Sequence, residues 1–340
     1  MENLDYFADT PLDPGSFNEI HKGIWWLRMP LPWKLDHINL WILEDDEGVA
    51  IIDTGICSQT CKNIWKQTIK KLVRGRPITK IIVTHYHPDH IGSAYWLTQT
   101  YNAPLYMPLV EWLYARMLSL NTGPDHMGSF AELFQHAGCP EEILNEIKGF
   151  NPIFSSFSET PPSGINRIKN GDNLKIGSRD WTVVVGEGHS PEHACLLCQT
   201  DKILISGDII LPRITPHIGI YPDQPDANPL KDYYDTLNKF KELPGDLSIL
   251  PSHNEPFFGL HERITQLKQH HDKRLEKTLN ACSNGATAWE VMQKLFRIEL
   301  GAQNTVFAMP EALAHLNLLI CDKSLIREQN SEGIWSYHSH

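Results

Sequence analysis

The sequence predicts an α/β fold: a sandwich of two β-sheets covered by helices, with a helical insertion and a C-terminal winged-helix part. Three observations predict it. Residues 24–97 and 174–251 each alternate short apolar, β-branched runs with a helical pattern, and end those runs in His or Asp. Between them, residues from about 104 to 165 read as a mostly helical insertion. After Phe258-Gly259 the composition shifts to charged helices. The expected domains are therefore residues 1–258 and residues 259–340.

Residues 1–23 hold Pro11, Pro14, Gly15 and Gly23 and read as an irregular lead-in. Ile24 to Met29 is a first strand. It stops at Pro30-Leu31-Pro32, because proline fixes its own φ and pushes its predecessor out of the helical region. Ile38 to Leu43 and Val49 to Ile52 flank the acidic turn Glu44 to Gly48 and form a hairpin, whose second strand runs out in Asp53-Thr54-Gly55. Ile64, Trp65, Ile69, Leu72 and Val73 recur at helical spacing; Lys80 to Thr84 is a buried strand and Ile91 to Leu97 a helix. In the insertion, Leu109 to Leu120 and Phe130 to Ile147 are expected helices, parted by Asn121 to Asp125 and with a helix start near Pro140. Ser155 to Gly164 is a loop. The insertion's aromatic and Met side chains have two readings, an apolar lid over a site or plain core. Strands follow at 174–176, 181–187, 194–199 and 203–206, then a proline-rich loop over 209–229, a helix at about 230–243 and a last strand, Ser248 to Pro251. Residues 261–281, Ala288 to Phe296 and about Pro310 to Cys321 are helices, and 325–327 with 334–337 form a hairpin.

With 340 residues, 41% hydrophobic and 21% charged, the chain is globular and has no composition for long disorder. A net charge of −11 disfavours a general binder of nucleic acid or anionic membrane. No apolar run approaches the roughly 20 residues that span a bilayer. Met1 to Asp5 lacks the basic segment and apolar core of a signal peptide. Seven cysteines in no regular framework point to reduced thiols and a cytoplasmic protein.

His85-Tyr86-His87-Pro88-Asp89-His90 puts four potential metal ligands at a strand end, where α/β proteins keep their ligand sites. Imidazole with carboxylate suits zinc, manganese or iron. His189, Asp208 and His253 each stand at a later strand end. Alone, Asp89 also reads as a helix cap and His253 as a loop histidine. The whole order, His-x-His-x-Asp-His, then Gly188-His189-Ser190-Pro191, then Gly207-Asp208 and a final His253, resembles the metallo-β-lactamase superfamily over about residues 20–258. Asp53-Thr54-Gly55 is similar to that family's early strand-end motif. The C-terminal part resembles the winged-helix appendage of its beta-lactamase-like protein 2 branch.

The resemblance implies an αββα sandwich holding two divalent metal ions, zinc first and iron or manganese as alternatives. It assigns His85, His87 and His189 to one ion, Asp89, His90 and His253 to the other, and Asp208 to both. Asp89 and His90 would carry catalysis, with a metal-bound hydroxide cleaving a small ester or thioester, as in glyoxalase II. Asp208 stands where β-lactamases with Cys bind the second metal differently, which points away from antibiotic hydrolysis. An acyl-CoA or glutathione thioester is the expected small-molecule substrate. Lactone and RNA or phosphodiester cleavage are the alternatives, followed by a mono-iron dioxygenase and a non-catalytic metal-binding scaffold.

Asp53 is expected to orient a ligand by hydrogen bonding. His193 has three open readings: support of the ligands, substrate contact, or core. Arg213, His217 and Tyr221, in the loop after Asp208, are candidate substrate contacts, Arg213 because a guanidinium pairs with carboxylate or phosphate. Cys195 and Cys198 lie on a strand that sends them to opposite faces, so they read as core. The C-terminal part has nine Lys/Arg and nine Asp/Glu, and its third helix carries no Lys or Arg over 311–319. Nucleic-acid binding is therefore not expected. Packing against the catalytic part, or against a second copy in a homodimer, is.

Overall fold

The computed structural model describes residues 4–7, 12–120, 124–296 and 301–339. Two seven-stranded sheets face each other. The first runs, in space as in sequence, through Phe17–His21, Ile24–Pro30, His37–Glu44, Val49–Ile52, Ile78–Ile82, Leu105–Met107 and Asn166–Arg167. The second runs in space through Asp5–Tyr6, Phe257–Phe258, Ser248–Pro251, Ile203–Gly207, His193–Cys198, Arg179–Gly186 and Asn173–Ile176. Each sheet contains one antiparallel meander that ends in a parallel pair: Val49–Ile52 beside Ile78–Ile82, and Ile203–Gly207 beside Ser248–Pro251. A parallel pair needs a crossover, and helices supply it: Gln59–Leu72 in the first half and Pro229–Lys241 in the second.

Alternation along the strands builds the layers. Trp26, Trp41, Ile52 and Ile82 meet Trp181, Leu196, Ile205 and Leu250 between the sheets. The residues one step on, such as Leu40, Ile51 and Ile81, pack outward against Trp65 and Leu97. Leu197, Leu204 and Ile249 pack outward on the other side against Leu237, Phe240 and Ile264. This is the expected αββα arrangement. Cys195 and Cys198 fall on opposite faces of their strand, both buried and free.

Several elements differ from the sequence expectation. Phe17–His21 is a strand within the expected irregular lead-in; it is a partly exposed edge strand, so its apolar pattern is weak. Leu105–Met107 and Asn166–Arg167 belong to the first sheet, which makes the insertion a crossover between two short parallel strands. Its described helices are Leu109–Leu120, Pro124–His136, Glu141–Lys148 and Ile153–Phe157. The expected turn at Asn121-Thr122-Gly123 lies outside the described residues. Met127 and Phe134 fill the core beneath the C-terminal helices, while Leu113 and Met117 are exposed.

The C-terminal helices are Leu260–Ala281, Ala288–Leu295 and Ala302–Cys321, followed by the hairpin Leu325–Gln329 and Trp335–Ser339. The last helix starts well before Pro310, the expected start, and runs through it. There Pro310 O accepts the Ile220 N–H at 3.0 Å, and Gly219 makes room, since a Cβ on it would lie 2.8 Å from Pro310 Cβ. Leu260, Ile264, Val291, Leu313 and Leu316 share one continuous core with Ile249 and Phe257 of the second sheet. Among the described residues no helix is long and apolar enough to cross a membrane.

Candidate metal centre

The chain turns sharply where the parallel pairs end, and those turns deliver the polar side chains. Asp53 leaves its strand at φ +60°, a left-handed conformation that costs energy for a residue with a Cβ. Its carboxylate then accepts from Thr84 N at 2.8 Å and Thr84 Oγ1 at 2.9 Å, and lies 2.8 Å from His90 Nδ1. Gly207 leaves the matching strand of the other sheet at φ +52°, and a Cβ there would sit 2.2 Å from the His193 ring. Only glycine lets His193 close in beneath Asp208.

The ligand atoms of His85, His87, His189 and Asp208 lie within 4.8 Å of one another, as do those of Asp89, His90 and His253. The Asp208 carboxylate touches both groups. Its Oδ2 is 3.4 Å from His189 Nε2 and 3.6 Å from His90 Nε2, and its Oδ1 is 3.5 Å from His253 Nε2. Asp89 Oδ2 lies 3.4 Å from His253 Nε2. The short helix Pro88–Ile91 takes His87, not Asp89, as its cap position. His87 and Asp89 are partly exposed and the other five are buried, so the centre opens to solvent on their side.

The hydrogen bonds around the rings decide which nitrogens face inward. His189 Nδ1 donates to His217 O at 2.8 Å, and His253 Nδ1 to His37 O at 2.8 Å, because a carbonyl can only accept. His90 Nδ1 faces Asp53. Thr84 Oγ1 donates to Asp53 and so accepts from His85 Nδ1 at 3.0 Å. Each of these four rings therefore turns its Nε2 toward carboxylates or other ring nitrogens; His85 Nε2 and His189 Nε2 are 3.2 Å apart. Lone pairs and carboxylates converging in a buried space repel unless a cation joins them. His90 Nε2 and Asp208 Oδ1, both buried, have no hydrogen-bond partner. Burial opposes charge on His253, yet Asp208 and Asp89 outweigh it and hold the ring up to about 10. Burial would likewise raise Asp208, but His253 and His90 hold it well below the usual carboxylate range. The donor set fits a divalent metal.

The metallo-beta-lactamase superfamily profile matches residues 33–253. The chain belongs to the metallo-beta-lactamase superfamily. A second profile, the metallo-beta-lactamase-like C-terminal domain, matches residues 275–340. A crystal structure of a beta-lactamase domain protein from Burkholderia ambifaria is 38% identical, covers 99% of this chain and 98% of its own, and superposes with a TM-score of 0.92. The probable metallo-hydrolase YqjP of Bacillus subtilis is 22% identical over 88% of this chain and 92% of its own length. The acyl-coenzyme A thioesterase MBLAC2 of Homo sapiens is 23% identical over 78% of this chain and 87% of its own.

The remaining expected site residues of this superfamily member fall as follows. Asp53 reaches His90, as described. His193 is fully buried, accepts the Asp208 N–H at 3.0 Å and stacks on His85 at 4.6 Å, so it braces two of the metal-facing residues from below. His217 holds His189 through its carbonyl, and its own ring Nε2 donates to Phe307 O on the last helix at 2.9 Å. Burial pushes its ring down to about 4, so it is neutral near neutral pH. Tyr221 Oη donates to His217 Nδ1 at 3.3 Å. Arg213 is turned to Glu255 at 2.7 Å and lies over the Tyr6 ring.

Three supporting residues escaped the sequence reading. Thr84 was read only as the end of a strand. Asn39 sits fully buried in an apolar strand and grips the turn on both sides of His253. Glu111 is a fully buried carboxylate on a largely apolar helix. A charged residue at a core-facing helical position was the available signal for Glu111.

Proposed function

We propose that this chain is a binuclear metallohydrolase that cleaves a small ester or thioester, with a thioester as the preferred substrate. The observation that carries the binuclear reading is Asp208, whose Oδ2 lies near His189 of one ligand group and His90 of the other while Oδ1 lies near His253. His85, His87 and His189 would hold one ion, Asp89, His90 and His253 the other, with Asp208 shared; zinc suits these donors best. When bound, such a pair supplies a water acidified to near neutral pH and a Lewis acid for the substrate carbonyl.

The chain's own residues do the rest. Asp53 and Thr84 hold the His85 and His90 rings in the orientation that presents Nε2. Asp89, partly exposed on the open side, is placed to orient the nucleophile and take up its proton at Oδ2. His217 and Tyr221 line the approach beside His189, and the half-exposed Phe307 against His217 offers apolar surface to an acyl chain. Arg213 would meet an anionic carrier group only by giving up Glu255.

The thioester preference is supported by the human relative named as an acyl-coenzyme A thioesterase. Zinc-loaded protein assayed against acyl-CoA, glutathione thioester, lactone and single-stranded RNA panels should turn over a thioester fastest. Silence toward every thioester, with turnover of a lactone or of RNA, would replace this reading with that activity.

A further inference from the structure

We propose that Glu111 is the positioning residue for the three-histidine half of the centre; this rests on the metal reading above. Glu111 stands in the first turn of Leu109–Leu120, on the insertion, with no solvent exposure. Its Oε2 accepts the Tyr86 N–H at 3.0 Å. Its Oε1 accepts the Ser190 hydroxyl at 2.8 Å and the Glu192 N–H at 2.6 Å. Tyr86 lies between His85 and His87, and Ser190 directly follows His189. One carboxylate thus grips the chain beside all three histidines, across loops that come from different sheets.

The grip is reciprocated: Glu192 Oε2 accepts the Val110 N–H at 3.2 Å, so each acidic residue ties down the backbone next to the other. None of the described contacts to Glu111 is an Arg or Lys; its donors are two backbone amides and a hydroxyl. An unpaired buried carboxylate is expensive, and an apolar side chain would fill this helix position more cheaply. What an apolar side chain lacks is a fixed pair of acceptors that sets the distance between the His85–His87 segment and the His189 segment. The other half has its own supports. Asp53 reaches His90, and His37 O reaches His253. The supporting hydrogen bonds of Glu111 therefore fall on residues beside one ion's proposed ligands.

The test is stepwise zinc binding by chelator competition on the full chain, comparing the unaltered protein, Glu111→Gln, Ser190→Ala and His87→Ala. Glu111→Gln keeps the shape but sets an amide NH2 against a donor. It should weaken one of the two binding steps by up to about 10-fold, the low end of the range for direct hydrogen-bond partners of metal ligands because Glu111 holds the chain beside the ligands, and leave the other unchanged. The weakened step should be the one His87→Ala removes. Ser190→Ala, which deletes a single bond and leaves Glu111 in place, should weaken the same step by less and guards against a Glu111 variant that misfolds. A purely structural role would lower the melting temperature with both zinc steps intact, and that result overturns the proposal, as does equal weakening of both steps. Two tight steps in the unaltered protein uphold the metal reading whatever Glu111 does; no zinc uptake there defeats both.

Discussion

Asp208 shows how much a single side chain can decide. Its N–H is held by His193 beneath it, and its two oxygens are spread across His189, His90 and His253. Replacing it by alanine removes a carboxylate that reaches the inward-facing nitrogens of both sets of ligands. Asp208→Ala should lower bound zinc from two ions per chain to one or none, with at least about 100-fold weaker binding, read by metal analysis after dialysis. Two retained ions would show that the carboxylate is not shared. At this scale the seven proposed ligand positions, which the structure gathers into two groups, were legible because a metal site demands particular side chains at strand ends and the order of His and Asp is visible in the chain. Their supports were less so. Thr84 and Glu111 act through a hydroxyl and a carboxylate whose partners are far away in sequence.

Among the elements, the strand His37–Glu44 does more than form a sheet. Asn39 accepts the Trp26 indole N–H at 2.7 Å and donates to Pro251 O at 2.9 Å and Asn254 O at 2.6 Å, while its own N–H reaches Ser252 O at 2.6 Å. A strand of the first sheet thereby clamps the turn that carries His253 at the end of the second. Asn39→Ala leaves a buried indole N–H and two carbonyls without partners, each worth about 1–3 kcal/mol when unsatisfied. The expected loss is roughly 2–5 kcal/mol in urea unfolding, together with weaker binding at the Asp89, His90 and His253 half. A variant as stable as the parent would mean that water replaces the asparagine. The hairpin containing Asn39 and the helix Gln59–Leu72 stood where pattern placed them, since both bury a regular apolar face. Leu105–Met107 and Asn166–Arg167 were missed because two or three residues carry no periodicity. The last helix was expected to begin at Pro310, because a proline inside a helix is normally disruptive; here its ring packs against Gly219.

For the molecule as a whole, the C-terminal helices share a core with the second sheet, and a buried polar cluster joins the first and last of them to each other. His271 Nδ1 lies 3.3 Å from His315 Nε2, His315 Nδ1 donates to Glu311 O at 2.7 Å, and Arg274 pairs with Glu311. Burial, and the positive groups around them, push His271 down to about 2 and His315 down to about 3. In the unfolded chain both rings titrate near 6.5. Below that pH the unfolded state binds more protons than the folded one, so stability is complete above about 6.5 and declines as the solution is acidified. Melting temperature should therefore fall from pH 7.5 to pH 5, and fall less in His271→Asn with His315→Asn. An equal fall in that double variant would assign the acid sensitivity to loss of metal instead.

Taken alone, the sequence determined the layered α/β class, the two halves and the identity of every proposed metal ligand. The class and the two halves follow from local rules, period-two and helical patterns and turn residues, and the ligands from the narrow chemistry of metal binding together with the resemblance of their order to a known family's. Only the tertiary structure decided which nitrogens face inward, that Asp208 spans both ligand groups, that the insertion fills core and carries Glu111, and that Arg213 is held by Glu255. Those facts depend on contacts between residues up to 217 positions apart, such as Asn254 and His37, and no local pattern encodes a distance across the fold. The six residues from His85 to His90 marked the candidate metal site; the rest of the molecule holds them in place.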